Sequence, residues 1–123
     1  IGVWGIAFKP GTDDIREAPA LDNIRQFLQY GAKVRVHDPE AMNNVRKVFA
    51  EQINYCDSPM EAAEGADLLF IATEWQEFRS PDFDQMALKM KSKFIVDGRN
   101  LYDLNEMRER GFKYYSIGRK PVL

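Results

Sequence analysis

Short apolar runs alternate along the chain with longer segments of helical periodicity. Ile1–Phe8 is a continuous apolar run, which is typical of a strand buried on both faces of a parallel sheet. The polar loop Lys9–Glu17 follows, and apolar residues then recur at helical spacing over residues 21–28. Pro19 stands in the first turn of that segment and Gly31 follows its end, as at many helix termini. The pattern predicts a strand, a long loop and a helix.

The same alternation continues to the end of the chain. Five more strands are predicted, the second of them weakly, at Lys33–Asp38, Ile53–Cys56, Leu68–Thr73, Phe94–Val96 and Phe112–Ile117. Helices are predicted between them at Ala41–Phe49, Ser58–Gly65, Ser80–Met90 and Asp103–Gly111, and Gly118–Leu123 is predicted to be a tail. Ser58 and Asp103 each precede a glutamate by three residues, which is the pattern of a capped helix start.

Six strands separated by helices define the expected fold class. Such an order predicts an α/β fold: a doubly wound, mostly parallel, Rossmann-like sheet of about six strands with helices on both faces. The 123 residues suit one domain and leave no room for two. A hydrophobic content of 45% with 29% charged residues indicates a compact core rather than a disordered chain.

Charge and hydropathy exclude two classes of partner. The 17 basic and 19 acidic residues give a net charge of -2, so no overall field attracts nucleic acid or an anionic membrane. No apolar run approaches the roughly 20 residues that span a bilayer. The single cysteine, Cys56, excludes an internal disulfide and suits a reducing cytoplasm. Because Ile1 opens directly into an apolar run, we expect a domain excised from a longer protein.

The predicted ligand site lies at one edge of the sheet, because ligands of open parallel sheets bind beyond the carboxyl ends of the strands. The segments that follow the first, fourth and fifth strands are Lys9–Arg16, Thr73–Trp75 and Gly98–Asn100. Lys9, Arg16 and Arg99 can therefore converge, although they are far apart in the sequence. Three cations on one edge of an acidic domain indicate a diphosphate site, and arginine can hold phosphate oxygens through two parallel hydrogen bonds.

The first loop lacks the dinucleotide-binding pattern. A Rossmann coenzyme site requires G-x-G-x-x-G between strand and helix, whereas Gly2, Gly5 and Gly11 stand in a different register. Asp38, at the end of the second strand, has two interpretations. It could bind a ribose, or Asp38-Pro39 could simply end a strand and begin a helix. We therefore expect no NAD bound in the usual manner by this domain.

Six motifs follow one another along the chain. The longest is Gly5–Ala20, GIAFKPGTDDIREAPA. The others, in order, are Gly31-Ala32, His37-Asp38-Pro39, Ala66-Asp67, Thr73-Glu74-Trp75-x-x-Phe78 and Asp97-Gly98-Arg99-Asn100. Together they span nearly the whole chain and closely resemble the C-terminal domain of the UDP-glucose/GDP-mannose dehydrogenase family. Residues 1–123 are therefore expected to form that domain.

The resemblance implies a function in a larger enzyme. Members of the family oxidise the C6 hydroxyl of a nucleotide sugar to a carboxylate in two NAD-dependent steps, through a thioester on a cysteine. They combine an N-terminal coenzyme domain, a central helix that builds a dimer and a C-terminal domain for the sugar nucleotide. The implied partners are thus a UDP-sugar and the N-terminal and central domains, in a homodimer or larger assembly, with NAD bound mainly by the N-terminal domain.

The resemblance also implies roles for individual residues. The family's substrate-binding Phe-Lys pair falls on Phe8 and Lys9, and the substrate arginine of its Asp-Gly-Arg motif falls on Arg99. The arginine that reaches the coenzyme falls on Arg16. The catalytic cysteine has no counterpart, because Cys56 lies in a different context and has no cation close to it in sequence. No catalytic residue and no metal ligand are therefore predicted, and Cys56 is expected to be a structural thiol.

Loop charges also have structural interpretations. Lys9 and Arg99 could be ordinary solvated loop charges, although binding is favoured. Arg16 could form a salt bridge with Asp13, Asp14 or Glu17 rather than reach a ligand. The two aspartates look like a carboxylate pair for acid–base chemistry, but we expect them to cap the following helix and to orient Lys9 or Arg16.

For the tryptophans and the single histidine, a role in ligand binding or catalysis also has to be weighed against a structural one. Trp75 could stack on a base or fill the space between sheet and helix, and packing is favoured. Trp4 is expected in the core. His37 is expected to be a strand residue near the surface without a catalytic role, because no metal-ligand partner accompanies it in the sequence.

The leading hypothesis is the substrate-binding part of a UDP-glucose 6-dehydrogenase, inactive by itself. Thr73-Glu74-Trp75 and the Pro-Gly-Thr-Asp-Asp form of the first loop favour UDP-glucose within the family. The alternatives are the same domain of a UDP-N-acetylmannosamine or GDP-mannose dehydrogenase, or a free-standing nucleotide-binding regulatory module.

Overall fold

The computed structural model describes all residues, 1–123. The strands are β1 Gly2–Trp4, β2 Arg35–His37, β3 Asn54–Tyr55, β4 Leu69–Ile71, β5 Phe94–Asp97 and β6 Lys113–Ser116. The helices are α1 Pro19–Gln29, α2 Met42–Phe49, α3 Pro59–Ala63, α4 Gln76–Arg79, α5 Phe83–Lys89 and α6 Leu104–Glu109, with a 3-10 turn at Ala50–Gln52. The six strands form one parallel sheet in the order β3-β2-β1-β4-β5-β6.

Two hydrophobic cores lie on opposite faces of this sheet, because successive side chains of a strand point to opposite faces. Trp4 of β1 joins the core that contains buried residues of α3, α5 and α6. Val3, one residue earlier, joins the core that contains buried residues of α1 and α2. Helices therefore cover both faces, and the predicted doubly wound α/β fold is confirmed.

Coverage of the two faces is unequal at β5 and β6. Phe94 and Tyr115 belong to neither core, and their rings stack on each other with centroids 5.5 Å apart. Tyr115 is 37% exposed, and Ile117, which follows β6, is 64% exposed. This chain thus leaves part of one sheet face open to solvent.

The first strand is shorter than the predicted Ile1–Phe8, which is a correction. It ends at Trp4, because Gly5 adopts φ +84, outside the extended region. A Cβ at Gly5 would lie 2.6 Å from the Cβ of Thr73, so the close approach of the two segments also requires glycine. The next two amides leave the sheet and donate to the side chain of Asp38. The local apolar pattern could not predict these two hydrogen bonds, because their acceptor lies 32 and 31 residues from the two donors in the sequence.

The segment after β4 also differs from prediction. A four-residue helix, α4, precedes Ser80, and the following helix, α5, begins at Phe83 rather than at Ser80. Asp82 is the cap of α5, since its carboxylate accepts a hydrogen bond from the amide of Gln85 at 3.0 Å.

The predicted caps at Ser58 and Asp103 are confirmed, as each side chain accepts the amide three residues on. The predicted tail is not free. Val122 forms an antiparallel bridge with Tyr114, and Arg119 donates to the carbonyl oxygen of Tyr102, so these two residues hold the segment against the domain. None of the helices has both the length and the apolar character that crossing a bilayer demands.

Candidate functional site

The loop after β1 is shaped by a buried carboxylate from the neighbouring strand. Asp38 is 1% exposed, and its Oδ2 accepts the amides of Ile6 and Ala7 at 2.7 and 3.1 Å. Its Oδ1 accepts the amides of Glu40 and Ala41 at 2.9 and 2.8 Å. Both oxygens are used within the protein, so Asp38 is not placed to bind a ribose. The alternative, that it ends the strand and starts the next segment, describes the observed geometry.

Phe8 and Lys9 follow at the carboxyl edge of the sheet. The hydroxyl of Thr73 donates to the carbonyl oxygen of Ala7 at 2.6 Å and ties this loop to the end of β4. Phe8 is 40% exposed, and the Lys9 ammonium lies 5.4 Å from the centre of its ring. Lys9 is exposed and makes no hydrogen bond or ion pair within the chain, so its charge is available to an anion.

Arg99 connects the loops after β1, β4 and β5. Its Nε donates to the carbonyl oxygen of Ala72 at 2.9 Å, and its Nη2 donates to the carbonyl oxygen of Phe8 at 3.2 Å. The carboxylate of Glu74 lies 3.6 Å from the same Nε. The structure thus brings Arg99 against the Phe8–Lys9 loop, as the sheet-edge rule predicts. An anion that binds this guanidinium has to compete with Glu74.

The turn that carries Arg99 is built on Asp97. Asp97 is 1% exposed, and its Oδ1 accepts the amide of Arg99 at 2.8 Å. Its Oδ2 accepts the amide of Leu101 at 2.7 Å and the hydroxyl of Tyr114 at 2.6 Å. Burial, together with the hydrogen bond to Asp97 and its charge, raises the pKa of the Tyr114 phenol far above its usual value. No motif or spacing in the sequence singles out Tyr114, which is a strand residue outside every motif.

Arg16 folds back on its own loop. Its Nε and Nη2 donate to Oδ1 and Oδ2 of Asp14 at 3.0 and 2.8 Å, while the arginine side chain remains 87% exposed. The side-chain hydrogen bond from Arg16 is the main cause that lowers the pKa of Asp14 to about 2. The ion-pair alternative for Arg16 is therefore observed. The expectation that Asp13 and Asp14 cap α1 is wrong, because Ala18 precedes the helix and no side chain caps it.

Phe8 and Arg16 line one surface opening of about 520 Å³, together with Asp14 and Glu17. No helix begins directly after β1, since α1 starts only at Pro19. Residues 5–18 separate the strand from the helix, where a dinucleotide site has a short glycine-rich turn. The residues of this domain do not fit the usual coenzyme site.

The tryptophans serve packing. Trp4 is fully buried, stacks on Phe78 at 5.2 Å and donates from its indole nitrogen to the carbonyl oxygen of Pro59. Trp75 is half-buried against the same core, and its indole nitrogen is buried without a partner. Trp4 therefore lies in the core, as expected. The position of Trp75 favours packing over stacking on a base.

His37 and Cys56 lie inside the protein. His37 is 8% exposed, which corrects the expectation of a surface position, and its Nδ1 lies 2.9 Å from the carbonyl oxygen of Cys56. Burial raises the pKa of the Cys56 thiol, so the thiolate is disfavoured. No group of three or more His, Cys, Asp and Glu side chains is placed to hold a metal ion.

Comparison with known proteins relates this site to one family. Residues 2–104 match the UDP binding domain of the UDP-glucose/GDP-mannose dehydrogenase family. A UDP-glucose 6-dehydrogenase of Pseudomonas aeruginosa is 47% identical over 97% of this chain, which spans 27% of that relative's length. One from Rhizobium meliloti is 46% identical over 97% of this chain and 27% of its own length.

A solved structure with the same fold is a UDP-glucose dehydrogenase from Pyrobaculum islandicum. It has 35% sequence identity and a TM-score of 0.76, with 94% of this chain and 24% of that chain covered. The chain spans about a quarter of the length of the relatives it matches. The matched segment contains the Phe8–Lys9 loop and the Arg99 turn. This chain belongs to the UDP-glucose/GDP-mannose dehydrogenase family, and its match is to the UDP binding domain of that family.

Proposed function

We propose that residues 1–123 are the C-terminal, UDP-sugar-binding domain of an NAD-dependent UDP-glucose 6-dehydrogenase. The observation that carries this proposal is the position of Arg99, whose guanidinium joins the loops after three strands at the carboxyl edge of the sheet. That edge is where parallel sheets bind ligands. The identity to UDP-glucose 6-dehydrogenases supports the choice of substrate.

Three residues form the proposed substrate contacts. Arg99 uses Nε and Nη2 on carbonyl oxygens, which leaves Nη1 for a phosphate oxygen and fixes the direction of the guanidinium. Lys9 supplies a second, uncommitted positive charge, and the exposed ring of Phe8 offers an apolar surface beside it. Together they can neutralise a diphosphate and contact the groups attached to it.

The coenzyme lies mainly outside this domain in the proposed enzyme. NAD, which would accept the hydride, would be held by the N-terminal domain, and Arg16 would reach it from the loop after β1. That contact requires Arg16 to exchange some of its bonds to Asp14. The N-terminal and central domains complete the site, in a homodimer or larger assembly that works in the cytoplasm.

This domain alone is proposed to be inactive, because it carries neither a coenzyme site nor a reactive thiol. The buried Cys56, with its raised pKa, is not a nucleophile.

A second candidate substrate is UDP-N-acetylmannosamine. A solved dehydrogenase of that sugar nucleotide from Pyrococcus horikoshii has 34% identity and a TM-score of 0.74. GDP-mannose and a free-standing regulatory role are the remaining alternatives, and no contact within the site favours either.

Titration of UDP into the isotope-labelled domain, followed by amide chemical shifts, tests the proposal. We expect a dissociation constant near millimolar, about 4 kcal/mol of binding free energy, because the contacts of the other domains are missing. The shifts should cluster at Phe8–Arg16 and Gly98–Asn100. Arg99→Ala should abolish detectable binding, since each bond to a charged group contributes about 1.5–3 kcal/mol.

Arg108→Ala is the matched control. Arg108 is an exposed arginine of α6 that bonds only to the side chain of Asn105, so its loss removes one positive charge far from the proposed site. Unchanged UDP binding is expected there. Shifts concentrated around Asp38 or Cys56, or equal losses in both arginine variants, would contradict the assignment.

A further inference from the structure

We propose that Tyr114 is a positioning residue for Arg99, acting through the carboxylate of Asp97. Tyr114 does not touch the proposed ligand, as its side chain is fully buried. The biological value of this role rests on the proposed function of Arg99, but the effect on the arginine itself can be measured without any ligand.

Tyr114 is the donor that connects the Arg99 turn to the neighbouring strand. Three groups donate to Asp97, and two of them, the amides of Arg99 and Leu101, belong to the turn itself. The third is the Tyr114 hydroxyl from β6, at the shortest distance of the three, 2.6 Å. The orientation of the carboxylate relative to the sheet therefore depends on this phenol, and the Arg99 amide follows the carboxylate.

The direction of the Tyr114 hydroxyl is itself determined by its neighbours. A phenol has one proton to donate and accepts through its lone pairs. Nη2 of Arg119 donates to this oxygen at 2.9 Å, and the amide of Tyr102 donates at 3.2 Å. Because Asp97 is the acceptor that lies within reach, the phenol proton points at its carboxylate.

The consequence for Arg99 is geometric. Its Nε and Nη2 reach two carbonyl oxygens only while its backbone stays where Oδ1 of Asp97 holds it. Without the phenol, Oδ2 keeps only the Leu101 amide as a donor, and the carboxylate has more freedom to rotate about its Cβ–Cγ bond. Binding groups need supporting residues that hold their orientation, and a small displacement of the guanidinium weakens its contact with a phosphate.

Tyr114→Phe in the 123-residue chain tests this inference, and Tyr102→Phe is the matched control. Both tyrosines are buried in the same core, and each hydroxyl donates one hydrogen bond of 2.6 Å. The Tyr102 hydroxyl bonds to the carbonyl oxygen of Phe78 rather than to Asp97. Each variant loses one donated bond, and Tyr114→Phe also removes the acceptor of the Arg119 guanidinium and of the Tyr102 amide. Of the two donated bonds, only the one from Tyr114 reaches the Arg99 turn, through Asp97.

The readouts are the NMR signal of the Arg99 Nε–H group and the affinity for UDP. Tyr114→Phe should move the Nε–H signal and accelerate its exchange with solvent. It should raise the UDP dissociation constant about fivefold, less than the loss of a whole charge-assisted bond, because the displaced guanidinium keeps part of its contact with the phosphate. Tyr102→Phe should leave both readouts nearly unchanged, although both variants unfold more easily.

Equal effects of the two variants on the Arg99 signal would overturn the inference, because they would indicate general loosening of the core. An unchanged Arg99 signal in Tyr114→Phe would overturn it as well. If Tyr114→Phe does not fold, Arg119→Ala, which removes one donor to the phenol, should shift the same signal to a smaller extent, and no shift would count against the inference. Absence of UDP binding by the unmodified chain would refute the proposed function, while the Nε–H signal would still decide the role of Tyr114.

Discussion

Two Asp-x-Arg segments at the same edge of the sheet use the same turn and place their arginines differently. Oδ1 of Asp14 accepts the amide of Arg16 at 2.9 Å, and Oδ1 of Asp97 accepts the amide of Arg99 at 2.8 Å. In the first segment the guanidinium folds back on the aspartate. In the second it extends away from the aspartate to two carbonyl oxygens of neighbouring loops.

The difference lies in what else satisfies each carboxylate. Asp14 is partly exposed, at 26% of its side chain, and has the guanidinium of the highly exposed Arg16 as its main partner. Asp97 is buried, and its second oxygen already accepts an amide and the Tyr114 hydroxyl. A carboxylate whose oxygens already have other donors can hold the backbone amide of its arginine, while the guanidinium remains free to bind elsewhere. Burial of the aspartate thus separates the two cases: the arginine after the buried Asp97 extends across the site, and the arginine after Asp14 pairs within its own loop.

Replacement of the two aspartates should show the largest difference. We expect Asp97→Asn to lower the free energy of unfolding by about 3 kcal/mol, because the amide offers one acceptor oxygen and turns its NH₂ toward buried donors. Asp14→Asn should change the free energy of unfolding much less, because its partner is an exposed guanidinium of the same loop. Urea denaturation measures both.

UDP titrations of the same pair complete the comparison. Asp97→Asn should also weaken UDP binding, since the Arg99 turn depends on the carboxylate. Similar stability losses in the two variants would show that burial does not separate the two segments.

Replacement of the middle residue of the Asp97 segment should have a smaller effect on stability. Gly98 stands between Asp97 and Arg99, and a Cβ there would lie 3.1 Å from the carbonyl oxygen of Ile71, which accepts the Gly98 amide. Gly98→Ala should therefore shift the turn by a few tenths of an ångström and lower the free energy of unfolding by about 1 kcal/mol. Thermal unfolding and the Arg99 Nε–H signal measure the shift. An alanine variant as stable as the parent, with that signal in place, would refute this explanation.

The sheet and the approach of the Arg99 turn to the loop after β1 could be predicted, because they follow from alternating apolar runs and from the rule for parallel sheets. The pairing of Arg16 within its own loop, away from the predicted cluster of cations, could be named only as an alternative. Long-range polar bonds could not be predicted. The end of β1 depends on Asp38, which reaches the loop from another strand. The role of Tyr114 depends on the pairing of β5 with β6, and helix α4 is too short to show periodicity. Apolar patterns therefore predict the sheet and the helices that cover it. The orientation of the side chains in the site depends on long-range hydrogen bonds, which the spacing of residues in the sequence does not show.

Acid titration should show the smallest effect, confined to the exposed segment. The folded state lowers the pKa of Asp14 to about 2, mainly through the hydrogen bond from Arg16. Because this pKa lies below its unfolded value of about 3.9, the Asp14 contribution to stability is present above about pH 4 and is lost as the pH falls through about 2. Carboxyl carbon NMR should find Asp14 ionised at about pH 3 in the parent chain and more protonated at that pH in Arg16→Ala, which keeps the backbone hydrogen bond from residue 16 but loses the one from the guanidinium. High salt should narrow this difference, because the pair is exposed. An Asp14 that titrates near its ordinary pKa in both chains would mean that the exposed aspartate does not hold its arginine, and the contrast with Asp97 would then rest on the buried segment alone.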